Sequence, residues 1–520
     1  LLLRHVREGR GERIACLTSA GGFTYAQLAA LAEAWAEVFA AAALASGHRV
    51  LLALEDGPTL WAALFGALAH GAVVVPVSPA LTLEEHLTQI TYVRPQVVVA
   101  ESERAESLRH ALATSGHLGQ GDAVSSLRVL EARQVPSTVS ENVPRSLSRL
   151  AAASHASGRD EAIWLMTSGS TGQPRAVVHT HEDFLFSAEH YARQVLGIRA
   201  DDIFLGVPKI FFGYGTGMSL VFPLVAGATA VLYPGRPTAE RLCELAALHR
   251  PTVLALVPRM LARLLEMDAS VATRALASVR VAVSAGEALP ETLYRRFRDV
   301  FGFEVVDGIG SAEMFHIYLS QRPGEVEPSR VGRLVPGYEA RVVRPDGSDA
   351  AADEPGRLWV RGGSAGRAYA FEPEQTAAVF REDGWVVSGD FLSRSAEGLF
   401  TYQGRADDML KVGGIYVSPV EVENVLLAHP EVSECAVAGY TDAAGLQRAR
   451  AFVVPKDPAR LAASPTAIAG WTETLAAHAR ASLAGYKVPD RWDLLPALPR
   501  SDRGKLLRRA LTDASSPQTS

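Results

Sequence analysis

"MTSGSTGQPRAVVHTH", Met166 to His181, is the stretch on which the reading of the chain turns. Thr167 to Gly172 brings four hydroxyls, two glycines and no charge, and Arg175 follows Pro174. The strand-like run EAIWLMTSG leads straight into it. A strand that feeds a Gly/Ser/Thr loop presents N–H groups and hydroxyls to an anion, and glycine lets the backbone come close. A Walker loop would need G-x-x-x-x-G-K-[ST], and no lysine stands in that place. The later GYGTG, 213–217, lacks the G-x-G-x-x-G spacing of a dinucleotide fold. Taken alone, the loop is a phosphate cradle, a flexible linker or an ordinary hairpin turn.

The surroundings narrow the choice. Helical runs such as YAQLAALAEAWAEVFAAAAL, TLWAALFGALAHG and LTLEEHLTQITYV alternate with apolar runs HRVLLALE, AVVVPVSP and PQVVVAE. Short apolar strands between helices predict a parallel sheet covered on both faces. The alternation resumes after the loop with TAVLYPG, PTVLALVP and VRVAVSAGEALP. Residues 131–160 read as a Ser-rich surface connection. From about 330 to 402 the chain is strand-rich, and after Arg405 a compact α+β pattern begins. The expected organisation is a large α/β domain over 1–404 with a small β-barrel-like subdomain, a hinge at 405–407, and a small mobile α+β domain over 408–520. The last ten residues read as a frayed tail.

At 520 residues the chain is too long for one core. A net charge of −6 without a long basic run argues against nucleic acid. No apolar run is long enough for a membrane helix, and the N-terminal LLLRHVREGRGER carries charges where a signal peptide would be apolar. Cys16, Cys243 and Cys435 are sparse and give no zinc pattern, which fits a reducing, cytoplasmic setting.

Five further motifs follow in order: SAGEALP (284–290), DGIGSAE (307–313), SGD (388–390), GRADDMLKVGG (404–414) and PRSDRGK (499–505). Singly, each is a turn. Together with the opening loop they resemble the adenylate-forming superfamily of acyl- and aryl-CoA synthetases, adenylation domains and luciferase. HTHEDF, KIFFGYGTG and DGIGSAEMFHIYLSQ are most similar to the benzoate-type aryl-CoA ligases.

That resemblance implies an enzyme that joins a carboxylate to ATP, giving acyl-AMP and pyrophosphate, and then passes the acyl group to a thiol. It implies that Thr167, Ser168, Gly169, Ser170, Thr171 and Gly172 cradle phosphates, and that Glu313 and Thr171 attend Mg²⁺. Gly286, Glu287, Asp307, Gly308 and Ile309 would hold adenine, and Asp390 and Arg405 the ribose and phosphate. Lys505 would bridge the substrate carboxylate and the α-phosphate. Asp407 would be the hinge, and Lys411, Gly413 and Gly414 would form the thiol tunnel. Arg175 stands where the family has lysine, and Ala312 where it has a phosphate-binding threonine.

The same resemblance places the acid pocket around Phe212, Gly213, Tyr214, Ala285, Ile309 and His316. KIFFGYGTG has no carboxylate to pair an α-amine, and a buried unpaired ammonium is costly, so an α-amino acid is disfavoured. Tyr214 and His316 are expected to hydrogen-bond the ring substituent or carboxylate. Gly213 is expected to leave room beside the ring for an ortho group such as that of 2-aminobenzoate. His179 and His181 form H-x-H without a third ligand and read as packing; Cys243 reads as core.

The expected substrates are a small aromatic acid, ATP and coenzyme A. A phosphopantetheine carrier protein as acceptor is the first alternative. A phosphate-loop NTPase and a non-catalytic nucleotide-binding module are the more distant ones.

Overall fold

The computed structural model describes residues 1–114, 127–135, 147–152, 157–168, 174–412, 415–442, 447–500 and 506–513. The expected alternation is present. Arg49–Ala53, Val73–Pro76 and Val97–Ala100 are buried strands paired in parallel, with helices Pro58–Leu68 and Leu83–Val93 between them. Thr24 and Thr82 begin helices Tyr25–Ala41 and Leu83–Val93 with reciprocal capping boxes to Gln27 and Glu85. Each such cap is worth about 1 kcal/mol.

Two large sheets result. A six-stranded sheet runs, in spatial order, Arg128–Glu131, Val97–Ala100, Arg49–Ala53, Val73–Pro76, Glu161–Ser168 and Pro174–Thr180. Its last pair is an antiparallel hairpin with the opening motif at its tip: Thr167 faces Arg175 and Ser168 faces Pro174. A nine-stranded sheet has a parallel centre (Val305–Gly310, Val281–Ala285, Val253–Leu256, Ile203–Gly206, Thr229–Val231, Ile14–Thr18) and antiparallel edges. The glycine-rich loop, SAGEALP and DGIGSAE lie at the carboxyl ends of strands Glu161–Ser168, Val281–Ala285 and Val305–Gly310, where ligands bind in open α/β sheets.

The strand-rich segment is a four-stranded antiparallel sheet of Glu339–Val343, Gly356–Arg361, Val386–Arg394 and Phe400–Arg405. Beyond it, Val432–Thr441, Gln447–Pro455 and Arg491–Leu494 form a three-stranded sheet against helices Pro419–Leu427 and Pro465–Arg480, with a core of their own around Val422, Val437 and Leu475. The tail reading needs correction over three residues. Leu511 to Asp513 belong to helix Arg508–Asp513, because Leu511 is buried against Ala436 and Phe452. Among the described residues no helix is long and apolar enough to cross a membrane.

Candidate active site

Glu313 sits in a short 3₁₀ turn, Ala312–Met314, and the turn is fixed from both sides. On one side the backbone reverses through Phe315, whose φ of 65° and ψ of −55°, with a 2.7 Å bond from the His316 N–H to the Met314 carbonyl, make a γ-turn of the rare positive-φ kind. A bulky residue there is strained, by an amount on the order of 1–3 kcal/mol, and persists only when packing dictates it. Phe315 is buried edge-on against Phe184 at 4.6 Å and near His179 at 5.9 Å. On the other side His179 accounts for both its ring nitrogens. Nε2 donates to the Ala312 carbonyl at 2.7 Å and Nδ1 meets Asp183 at 2.8 Å. His179 of the H-x-H pair is therefore a brace under the Glu313 turn, and no cluster of metal-ligating side chains occurs among the described residues.

Glu313 itself accepts a 2.7 Å hydrogen bond from the Tyr369 hydroxyl. The guanidinium of Arg175 lies 5.7 Å from the centre of the same ring, and its Nε donates to Glu372 at 2.8 Å. Arg175 thus belongs to a chain, Glu372–Arg175–Tyr369–Glu313, that ties the base of the glycine-rich hairpin to the acidic motif. Tyr369, in GRAYAFEPEQT, was not singled out from sequence; it is one aromatic among many until the fold brings it to Glu313.

Asp390 and Arg405 face each other across adjacent strands, with Arg405 Nη1 donating to Asp390 Oδ1 at 3.0 Å and Ser388 Oγ to Oδ2 at 2.9 Å. The Asp390 charge holds the exposed Arg405 guanidinium above its usual range, with partial desolvation working the other way. Tyr318 lies buried between these motifs. Burial, then the charges of Asp390 and Glu313, push its phenol upward. Asp307 and Gly308 pair in register with Ser284 and Ala285. Desolvation holds the Asp307 carboxyl well above the ordinary carboxylate range. Gly286 has a φ of 91°, a conformation that requires glycine at this turn. Asp407 is exposed in the turn that follows Arg405.

The segment of the expected acid pocket packs closely against the strained turn. A Cβ on Gly213 would lie 2.4 Å from the Phe315 carbonyl oxygen and 3.2 Å from Leu165. Glycine there permits a close backbone approach to the strained turn. The Tyr214 hydroxyl, expected to meet substrate, shares its one proton between the carbonyls of Leu256 at 3.2 Å and Val283 at 3.1 Å. It can accept a hydrogen bond but cannot donate to a carboxylate without releasing a strand end. Ala285 is buried in the main core, Ile309 is half-buried at its margin, and Phe212 is half-buried.

His316 lies 2% exposed between Tyr214, Phe222 and Tyr191, with its ring against the Gly217 backbone. Two π-helical turns, Ala188–Arg193 and Gly217–Val221, carry Tyr191 and Gly217; such turns concentrate at functional sites. Nε2 faces the Tyr214 carbonyl at 3.3 Å, so it carries the proton and Nδ1 is a bare acceptor. Burial lowers the His316 pKa to about 3. The folded state therefore keeps the ring neutral while the unfolded chain takes up a proton near pH 6.5. The resulting stability is complete above about pH 6.5 and is lost as pH falls toward 3, by at most about 5 kcal/mol. Denaturant titrations over that range should show a shallower acid slope for His316→Phe than for the parent.

Three buried polar atoms near one another have no hydrogen-bond partner among the described residues: Ser284 Oγ, Asp307 Oδ1 and His316 Nδ1. Buried polar groups are otherwise almost always paired, so such a concentration marks where a polar ligand belongs. Gly169, Ser170, Thr171, Gly172, Gly413, Gly414, Lys505 and the side chains of Ser168 and Lys411 lie outside the described residues.

Residues 3–370 match the AMP-binding enzyme family, and residues 421–505 match the AMP-binding enzyme C-terminal domain. The chain belongs to the AMP-binding enzyme family. Within that family it is an AMP-forming acid–thiol ligase of the aryl-CoA synthetase group. The ligase is 36% identical to a benzoate–CoA ligase of Thauera aromatica over 99% of this chain and 95% of that protein. It is 34% identical to an anthranilate–CoA ligase of Pseudomonas aeruginosa over 90% and 87%. The crystal structure of a benzoate CoA ligase from Burkholderia xenovorans LB400 matches the ligase with a TM-score of 0.83 at 35% identity, over 98% of each chain. An anthranilate CoA ligase in complex with anthranoyl-AMP matches with a TM-score of 0.84 at 30% identity, over 99% of this chain and 96% of that one. The expected hinge, 405–407, falls between the two matched segments.

Proposed function

We propose that the protein activates a small benzoate-type acid with ATP and transfers the aryl group to coenzyme A, and that the preferred acid carries a hydrogen-bond donor on its ring, as 2-aminobenzoate and the hydroxybenzoates do. The observation that carries the ring-donor reading is His316 Nδ1, a neutral buried acceptor without a partner. An amino or hydroxyl substituent would satisfy it; an unsubstituted ring would leave it bare, at a cost of about 1–3 kcal/mol. Names of similar proteins support the class: they act on benzoate, 4-hydroxybenzoate and anthranilate.

The residues divide the work by chemistry. Asp307 offers an acceptor to an exocyclic amine, and Asp390 offers carboxylate oxygens to a diol. Glu313 suits Mg²⁺, which prefers one or two carboxylates together with phosphate oxygens and water. Only Tyr369 is bonded to its carboxylate among the described residues, so a second oxygen is left for a metal that arrives with the nucleotide. When bound, that metal would neutralise phosphate charge. Tyr369 fixes which way the carboxylate points. Tyr369→Phe keeps the ring under Arg175 and deletes the hydroxyl. It should raise the Mg²⁺ concentration for half-maximal pyrophosphate exchange by about 10–100-fold, the worth of one hydrogen bond to a charge, with the plateau rate changed less.

Acid-dependent AMP release across benzoate, 2-aminobenzoate, the hydroxybenzoates and their fluoro isosteres tests the substrate class. Donor-bearing acids should exceed their fluoro counterparts in kcat/KM by about tenfold or more. Equal values would remove the ring-donor reading. AMP release that depends on a carrier protein rather than on coenzyme A would replace the acceptor.

A further inference from the structure

Two acidic residues outside the motifs reach from one large sheet into the other. Glu55 and Asp56 follow strand Arg49–Ala53 of the six-stranded sheet. Asp56 is 8% exposed, and its Oδ1 accepts the Ile210 N–H at 3.2 Å, at the start of the FFGYGTG segment of the nine-stranded sheet. Its Oδ2 lies 3.9 Å from Lys209 Nζ. That ammonium is itself buried: it donates to the Tyr233 carbonyl at 2.7 Å and stands 3.8 Å from the centre of the Tyr233 ring. Glu55 accepts the Gly235 N–H at 3.0 Å, so the acidic pair holds two backbone amides of the opposite sheet.

From Ile210 the anchor runs into the expected pocket wall. Thr216 Oγ1 donates to the Ile210 carbonyl at 2.5 Å, Phe212 N–H to the Lys209 carbonyl at 3.0 Å, and Thr216 N–H to the Phe212 carbonyl at 2.8 Å. A Cβ on Gly215 would lie 2.0 Å from the Lys209 carbonyl, so the loop is wound as tightly as backbone allows. Lys209 is one of five lysines among 51 lysines and arginines. In so arginine-rich a chain, a buried lysine marks a slot shaped for a compact ammonium rather than a planar guanidinium. Burial raises the Asp56 carboxyl to about 6, while Lys209 and the Ile210 amide oppose the rise. Breaking a buried pair on one side leaves an uncompensated charge and costs more than the pair is worth.

We propose that Asp56 is a positioning residue for acid binding: through Ile210 and Lys209 it locks the pocket segment 209–217 to the sheet that carries the glycine-rich hairpin. This rests on the reading of 209–217 as pocket wall. Asp56→Ala removes the acceptor and the charge. Asp56→Asn keeps an acceptor for Ile210 and a similar volume, and serves if the alanine variant folds poorly.

Two readouts separate the anchor from the function. Hydrogen exchange of the peptide spanning 207–217 should accelerate at least tenfold in Asp56→Ala, and less in Asp56→Asn, with peptides of the 432–455 hairpin unchanged. In pyrophosphate exchange, KM for the acid should rise at least tenfold in Asp56→Ala while KM for ATP stays within twofold. Unchanged exchange over 207–217 overturns the anchor. Accelerated exchange with KM values for acid and ATP that rise together, or not at all, overturns the positioning role and leaves only a structural brace. If no aromatic acid supports pyrophosphate exchange in the parent, the functional reading fails, and with it the role in acid binding, while hydrogen exchange still decides the anchor.

Discussion

Lys505→Ala and Glu313→Gln are expected to remove adenylation while sparing thioester formation from supplied aryl-AMP. The two half-reactions place charge differently. In the first, a carboxylate attacks a triphosphate, and negative charge from both partners meets at the α-phosphate. Pre-placed cations and a metal at that point typically contribute 10²–10³-fold each, or about 2.7–4 kcal/mol. In the second, pyrophosphate has left and a thiol attacks a neutral acyl carbon, so neither a carboxylate that would hold a metal nor a lysine that would bridge the phosphate would have the same work. Glutamine at 313 still accepts the bond from Tyr369, so the variant removes charge and keeps the turn. The expected result is a loss of about 10²–10³-fold in pyrophosphate exchange for Glu313→Gln, and a larger one for Lys505→Ala, with single-turnover thioester formation within a few-fold of the parent. Equal loss in both steps would contradict the division of labour.

Fold and site were legible from sequence to different depths. Buried strands such as Val73–Pro76 and Val97–Ala100 are uniformly apolar, and the capping boxes at Thr24 and Thr82 are local, so period and composition report them. The ordered motifs name Glu313, Asp307, Asp390 and Arg405 because glycine-rich turns and acidic residues recur at fixed places. What could not be read is what tertiary packing imposes against local preference. A phenylalanine at positive φ has no sequence signature; Phe184 and His179 hold Phe315 there. The partners of Arg175 and Glu313 are nearly 200 and 56 residues away, at Glu372 and Tyr369. Asp56 meets Ile210 across 154 residues and between two sheets. The motif draws attention to Tyr214 and Gly213, but the direction of a hydroxyl and of a missing Cβ belongs to geometry alone.

That geometry changes what Gly213→Val should do. Were Gly213 a space beside the ring, valine would exclude ortho-substituted acids and leave benzoate itself nearly unaffected. In this structure the first added carbon meets the Phe315 carbonyl at 2.4 Å, below any ordinary contact. Phe315 cannot yield cheaply, because its γ-turn, its ring contacts and the His316 N–H bond define the same few atoms. Its retreat would carry Glu313 on one side and His316 on the other. Overpacking of this kind costs about 1–3 kcal/mol of stability. A shift of about 1 Å at a catalytic turn costs on the order of 10²-fold in rate. Gly213→Val should therefore lower the melting temperature by several degrees and reduce adenylation by about 10²-fold for every acid in the panel, with the ratio of 2-aminobenzoate to benzoate turnover preserved within about threefold. A selective loss of the ortho-substituted acids at unchanged stability would return Gly213 to the pocket. A uniform loss would assign it to the support of the Glu313 turn.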